Sequence, residues 1–264
     1  MKPTPAKDGA KIFLFDIETS PITGNFWGMW KQNIPVQMHT LDWQMLTWAG
    51  KWLGSDEILY DSNHLHGTPF DDKGILESLH TCIDEADIIV AHNGNKFDMK
   101  KMNARFILQG MQPPSPVRKI DTLLEARKNF AFTSNRLDAL GHLLGVGRKV
   151  ETGGYALWEG CLKGDVESFE TMLEYNIGDV TLLEDVYLKL RPWMNQHPNI
   201  NVFTEDEEPA CPKCGGTHLN YRGYASTQMA KYRRFQCMDC GGWGRDRVHM
   251  LDKAKSRSLK NGIA

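Results

Sequence analysis

The chain has 264 residues, 41% hydrophobic and 24% charged, with a formal net charge of −2. That length supports one large core or two smaller ones, and the balance is ordinary for a globular protein. No apolar run is long enough for a membrane span, and the opening MKPTPAKDGA lacks the apolar stretch of a secretory signal. The expected setting is therefore reducing and cytoplasmic, with no membrane partner.

The charge is unevenly spread. From residue 209 onward, eleven Lys and Arg stand against three Asp and Glu, so that piece carries +8 and the remainder −10. A basic piece on an acidic body fits contact with a polyanion, or simply a solvated basic terminus.

The first strand is expected over residues 11–16, from the apolar run Ile12-Phe13-Leu14-Phe15. It places Asp16 and Glu18 two residues apart, hence on one face. Like charges held there repel unless solvent, a basic side chain or a metal ion lies between them. A long Trp-rich connection follows over 21–39. Two further strands, 44–53 and 57–61, flank a Gly54-Ser55-Asp56 hairpin turn. A helix is expected over 73–84, then a buried strand over 88–91. His92-Asn93-Gly94 breaks that strand, and Asn95 can cap a helix to residue 109, putting Asp98 in its first turn.

After a Pro-rich loop at 113–116, a strand over 117–120 leads into a helix over 122–128. A short helix over 137–144 stops at Gly145, and a long helix over 165–190 ends before Pro192. Three leading strands followed by alternating helices and strands imply an α/β fold, a mixed sheet flanked by helices. The domain reading is 1–192 for this body, 193–208 for a linker, and 209–264 for a small second domain with a basic tail.

Each carboxylate alone has an ordinary explanation: a strand end, a first helical turn, or a charge on a helix. Together, Asp16, Glu18, Asp98 and Asp179 sit on core elements, and Tyr175 shares a helix face with Asp179. If they converge, divalent cations are the natural remedy for their repulsion, and Mg²⁺ or Mn²⁺ prefers such oxygen ligands.

At this point the residues resemble a family. Phe15-Asp16-Ile17-Glu18-Thr19, Asn93-Gly94-Asn95-Lys96-Phe97-Asp98 and Tyr175-Asn176-Ile177-Gly178-Asp179 are similar, in order, to the three motifs of the DnaQ-like (DEDD) 3′–5′ exonucleases of the ribonuclease H-like superfamily. Tyr four residues before the last Asp resembles the Tyr-bearing (DEDDy) branch. The likeness covers about residues 11–192, and the layout looks like stand-alone exonucleases encoded by bacteriophages, which would put the protein in host cytoplasm.

The resemblance implies two catalytic Mg²⁺ or Mn²⁺ ions. Asp16 would bridge both, Glu18 and Asp179 would hold the ion that activates water, and Asp98 would help hold the second. Tyr175 would orient the attacking water. Thr19, Asn93 and Phe97 are candidates to hold the terminal nucleotide. The implied substrate is nucleic acid, DNA favoured and RNA possible, with a polymerase or replication protein as a possible separate partner. A non-cleaving adaptor of the same fold is the alternative.

Cys211-Pro212-Lys213-Cys214 and Cys237-Met238-Asp239-Cys240 are two C-x-x-C turns, each followed by Gly-Gly. Their spacing resembles a zinc ribbon, whose four thiolates form a closed structural Zn²⁺ site. Between them lie Tyr221, Arg222, Tyr224, Lys231, Tyr232, Arg233, Arg234 and Phe235. Such residues can meet phosphates and stack on bases, fill a small core, or dock a protein. Trp27, Trp30 and Trp43 are expected to pack on the sheet or a partner rather than stack on bases.

Overall fold

The computed structural model describes residues 9–67, 70–149 and 154–261. Residues 1–8, on which the leader reading partly rests, lie outside them. One compact unit spans Lys11–Tyr187 and a second begins at Leu188.

The first unit is built on a five-stranded sheet in the order β5-β4-β1-β6-β7. Its members are β1 (Ile12–Thr19), β4 (Met45–Trp52), β5 (Ile58–Ser62), β6 (Ile88–Ala91) and β7 (Arg118–Asp121). β1 pairs antiparallel with β4, and β4 antiparallel with β5. β6 pairs parallel with β1 and with β7. This is the expected mixed α/β sheet. The long connection from β1 to β4 and the short β4–β5 hairpin make the antiparallel half, and helical crossovers make the parallel half.

Two layers cover the sheet. On one face, Phe13, Phe15 and Ile17 of β1 and Trp48 of β4 pack with Ile75, Leu76, Leu79 and Ile83 of α1 (Lys73–Glu85) and Met99, Met102 and Phe106 of α2 (Asp98–Leu108). The α1 positions form a stripe one helical face wide, and burying each such side chain contributes about 1.5–3 kcal/mol. Gly50 of β4 is required here, because a Cβ would come within 2.3 Å of the Phe13 ring. Trp48 also donates from Nε1 to the Ser78 hydroxyl at 3.0 Å. On the opposite face Leu46 packs with Leu157 and Cys161 of α5 (Tyr155–Leu162) and Phe169 and Met172 of α6 (Val166–Leu190).

Polar clamps fix the layers. Arg105 forks onto the buried Asp72, Nε to Oδ2 at 2.6 Å and Nη2 to Oδ1 at 2.7 Å, and the Met45 amide donates to the same carboxylate at 3.0 Å. Lys51 of β4 ion-pairs with Glu184 of α6. Among the described residues, the remaining α-helices of this unit are α3 (Thr122–Asn129) and α4 (Leu137–Leu143).

The structure departs from the sequence reading in several places. β1 continues to Thr19 instead of ending at Asp16, because Ile17 and Thr19 keep up the alternation of buried side chains. α2 begins at Asp98, and Asn95 does not cap it; Asn95 lies in a tight turn opened by Asn93 at φ 65°. α5 was not expected at all. In the Trp-rich connection, only β2 (Thr23–Gly24) and β3 (His39–Leu41) pair, and Trp27 and Trp30 stand 93% and 83% exposed, so neither packs on the sheet.

The second unit holds a three-stranded sheet, β8 (Leu219–Ser226), β9 (Lys231–Cys237) and β10 (Trp243–Arg245), in the order β10-β9-β8, and a short α7 (Lys253–Ser258). Residues 193–208, read as the linker, carry local structure. Ile200–Phe203 is a 3₁₀ turn whose Ile200 amide donates to the Pro212 carbonyl at 3.0 Å, and Asn201 Nδ2 donates to Ala210 O at 3.0 Å. Those bonds tie the segment to the first Cys turn.

Candidate active site

Because Phe13, Phe15 and Ile17 face α1 and α2, the alternation of β1 turns Asp16 and Glu18 to the other face, where α6 runs. α6 brings Tyr175, Asn176 and Asp179 there. Carboxylate oxygens of Asp16, Glu18 and Asp179 lie within 4.8 Å of one another. Asp98 is not within that trio. It is buried at the start of α2, and its Oδ1 accepts from the Ile17 amide at 3.4 Å.

The electrostatics follow from this crowding. Burial, then the charges of Asp98, Glu18 and Asp179, push the Asp16 carboxyl well above the usual carboxylate range. Burial and Asp179 raise Glu18, and burial raises Asp98 and Asp179. Desolvation and like charge both penalise the anionic forms. A cation would relieve both.

Lys149 supplies part of that relief. Its Nζ ion-pairs with Asp179 Oδ2 and bonds to the Tyr175 hydroxyl at 3.0 Å. The other oxygen of Asp179, Oδ1, is buried with no hydrogen-bond partner. An orphaned carboxylate oxygen beside two more carboxylates suits a hard divalent ion, and the all-oxygen donor set suits Mg²⁺ or Mn²⁺ over softer metals.

Three residues that sequence reading missed complete the frame. Lys149 follows α4 in a stretch with no motif to mark it. Asn176 lay inside the third motif; it is fully buried, and its Nδ2 donates to Asp16 Oδ2 at 2.8 Å while its Oδ1 accepts from the Thr47 hydroxyl at 3.3 Å. Asn176 is one residue after Tyr175 and three before Asp179, so helix geometry puts it on the same side, a signal that was available. Asp121 ends β7 and caps α3. Its carboxylate accepts amide bonds from Asn93, Asn95, Leu123 and Leu124 at 3.0–3.2 Å. It thereby fixes the turn that delivers Asp98.

The nucleotide-binding candidates are divided. Thr19 is buried, and its hydroxyl accepts from Lys101 Nζ at 3.2 Å. That ammonium lies 3.9 Å from the Trp43 ring centroid and 5.3 Å from that of Phe97, which is exposed rather than core. Asn93 lies elsewhere, on the wall of a cleft of about 940 Å³ that Tyr175 and Lys149 also line. Among the described residues, Arg127, Arg136 and Arg148 line that cleft, against one carboxylate, Asp138. His92 forms part of the wall. Burial pushes its imidazole down to about 4, and its ring is held between the Thr122 hydroxyl at 2.9 Å and the Asn135 carbonyl at 3.0 Å.

In the second unit, Cys211, Cys214, Cys237 and Cys240 gather with their sulfurs within 4.8 Å of one another. Cys211–Cys240 and Cys214–Cys237 sulfurs are 3.8 and 3.7 Å apart, far beyond a disulfide. Zn–S bonds of about 2.3 Å in a tetrahedron give edges of about 3.8 Å, so the cluster is compatible with one zinc ion. Gly215 and Gly241 take φ of 74° and 79°, which the two turns require, and the Gly242 amide donates to Cys240 sulfur at 3.4 Å.

Comparison with known proteins agrees with this architecture. Over 153 residues the chain is 29% identical to the PolC-type DNA polymerase III of Ureaplasma parvum serovar 3, a match over 55% of this chain and 10% of that protein. The chain thus spans about a tenth of that relative's length. The fold is also that of part of the family B DNA polymerase from the hyperthermophilic archaeon Pyrobaculum calidifontis, with a TM-score of 0.52 at 16% identity over 72% of this chain and 26% of that one. The model of the RNase_H superfamily matches residues 47–191, from β4 through the end of α6, and the chain belongs to that superfamily.

Proposed function

We propose that the chain is a metal-dependent 3′–5′ exonuclease of the Tyr-bearing (DEDDy) type, which removes nucleoside monophosphates from the 3′ end of nucleic acid. The observation that carries this is the gathering of Asp16, Glu18 and Asp179 within 4.8 Å, with one buried oxygen of Asp179 unpartnered. DNA is favoured because the sequence similarity runs to a DNA polymerase. RNA would use the same machinery, since the discrimination rests on contacts to the 2′-OH.

Asp16, Glu18 and Asp179 would hold one divalent ion, and Asp16 with Asp98 a second. When bound, such a pair supplies Lewis-acid charge and an acidified water for in-line displacement at phosphorus. The protein's own residues do the rest. Asn176 holds the Asp16 carboxylate in orientation through its 2.8 Å bond. Lys149 fixes the Tyr175 hydroxyl, which orients the attacking water. The cations of the cleft, Arg127, Arg136 and Arg148, take the phosphates of the strand beside Asn93 on the same wall, and Thr19 and Phe97 take the terminal nucleotide. Water adds to phosphorus, the bond to the 3′ oxygen of the preceding nucleotide breaks, and that oxygen leaves as the new 3′ hydroxyl. Cys211, Cys214, Cys237 and Cys240 would hold one structural Zn²⁺. A separate polymerase or replication protein is a proposed partner.

The test is digestion of matched DNA and RNA strands, labelled at the 5′ end, with Mg²⁺ or Mn²⁺. The reading expects a ladder shortening from the 3′ end, abolished by Asp16→Ala and by Asp179→Asn. Digestion unchanged in those variants would overturn it.

A further inference from the structure

We propose that one face of the β8–β9–β10 sheet is a platform for single-stranded nucleic acid, built from Arg222, Arg234 and Arg245 interleaved with Tyr232 and Trp243. The strand register puts these side chains together. Arg245 lies directly opposite Arg234, and Trp243 opposite Gln236, in the antiparallel pairing of β10 with β9. Asn220 lies opposite Gln236 in the pairing of β8 with β9, and Arg222, two residues along from Asn220, reaches the same face, where its Nη2 donates to Gln236 Oε1 at 2.8 Å.

The guanidinium groups lie over the rings. Arg222 and Arg234 each lie 4.7 Å from the Trp243 ring centroid, and Arg245 lies 3.7 Å from that of Tyr232. All three arginines are exposed, and Trp243 is 40% exposed. These rings do not fill a core. The small core of the sheet belongs to the other face, where Phe235 is buried and Tyr221 packs edge-on against it.

Charge makes the case for a ligand. Like charges directly opposite across strands destabilise a sheet, yet Arg234 and Arg245 are paired in register. Among the described residues no carboxylate ion-pairs with Arg222, Arg234 or Arg245. By contrast Arg233, on the other face, is paired with Asp246 at 2.8 Å. Three guanidinium groups without a carboxylate partner, each lying over an aromatic ring, match a polyanion with accessible ring faces. Phosphates answer the charge, and unpaired bases stack on ring or guanidinium planes. A duplex hides those base faces, and an acidic protein surface has none to offer. The surface stands on its own residues and holds whether or not the chain cleaves.

The test uses the full chain with Asp16→Ala, so that the probe survives. Binding of fluorescein-labelled (dT)₂₀ and of a matched duplex is measured by anisotropy across a salt series. Removing three phosphate contacts should lower the slope of log K against log salt by about 2 and weaken binding about a hundredfold at 0.1 M salt. The triple variant Arg222→Gln/Arg234→Gln/Arg245→Gln should show both effects. The corresponding triple Lys variant should keep most of the slope, and Trp243→Leu should weaken binding about tenfold with the slope unchanged. Near-UV circular dichroism checks folding. If the Gln triple unfolds, Arg245→Gln on the edge strand carries the test, with a slope change of about 0.7. Unchanged affinity and slope in the Gln variants, or duplex bound as tightly as (dT)₂₀, would overturn the proposal.

Discussion

Asn176→Ala is the most informative single change in the nuclease unit. Asn176 is fully buried and donates to an oxygen of Asp16 at 2.8 Å. A hydrogen bond to a charged group contributes about 1.5–3 kcal/mol. Its loss should lower the melting temperature by about 3–12 °C at the usual 2–4 °C per kcal/mol for a unit of this size. The same bond holds the Asp16 carboxylate in place for a cation, so the apparent affinity for Mg²⁺ should fall by about ten- to a hundredfold. It also favours the ionised form of Asp16, so the acid limb of the rate profile should move to higher pH. The assays are thermal unfolding with and without Mg²⁺, and nuclease rate against Mg²⁺ at several pH values. A variant that melts early but keeps its Mg²⁺ dependence and its pH profile would refute the positioning role and leave only a packing one.

Three further outcomes follow from the same geometry. In metal-free protein, the raised carboxyl of Glu18 holds its proton more tightly in the folded state than in the unfolded chain. Its contribution to stability is therefore complete at low pH and is lost as pH rises from about 4.3 through about 8. The melting temperature of wild type relative to Glu18→Gln should fall between pH 5 and 8 and recover with Mg²⁺; a difference flat in pH would contradict this. Lys149→Met leaves the buried Asp179 without its cation, at a cost of about 3 kcal/mol, the low end for a broken buried pair because Lys149 is partly exposed. Unfolding in Mn²⁺ should narrow the gap from wild type. Purified protein should carry one zinc per chain by atomic absorption, lost in Cys237→Ser, and equal zinc in the two would count against the four-sulfur site.

The fold was legible where local signals were strong. The strand over 88–91 and the hairpin around Gly54 sit as the sequence implies. The errors arose where a distant residue decides local structure. Asn95 reads as a cap, yet its amide and that of Asn93 bond to Asp121, some 26–28 residues away, and the chain turns before α2 begins. α5 has Gly154 at its N-cap and no capping side chain, so its start carries no sequence signal. Trp27 and Trp30 look like core by composition, but their segment pairs only through the two-residue β2. Of the motif carboxylates, Asp16, Glu18 and Asp179 gather and Asp98 stands outside that trio, while Lys149, bonded to Tyr175 and Asp179, follows no pattern and is visible only in three dimensions.

Asp16, Glu18 and Asp179, with Asp98 close enough to act on the Asp16 charge, are proposed to hold divalent cations. Anomalous diffraction from crystals grown with Mn²⁺ and a nucleoside monophosphate tests this proposal directly. Two peaks are expected, one among Asp16, Glu18 and Asp179 and one between Asp16 and Asp98, both absent in Asp16→Ala. No peak at these oxygens, with Lys149 still seated on Asp179, would contradict it.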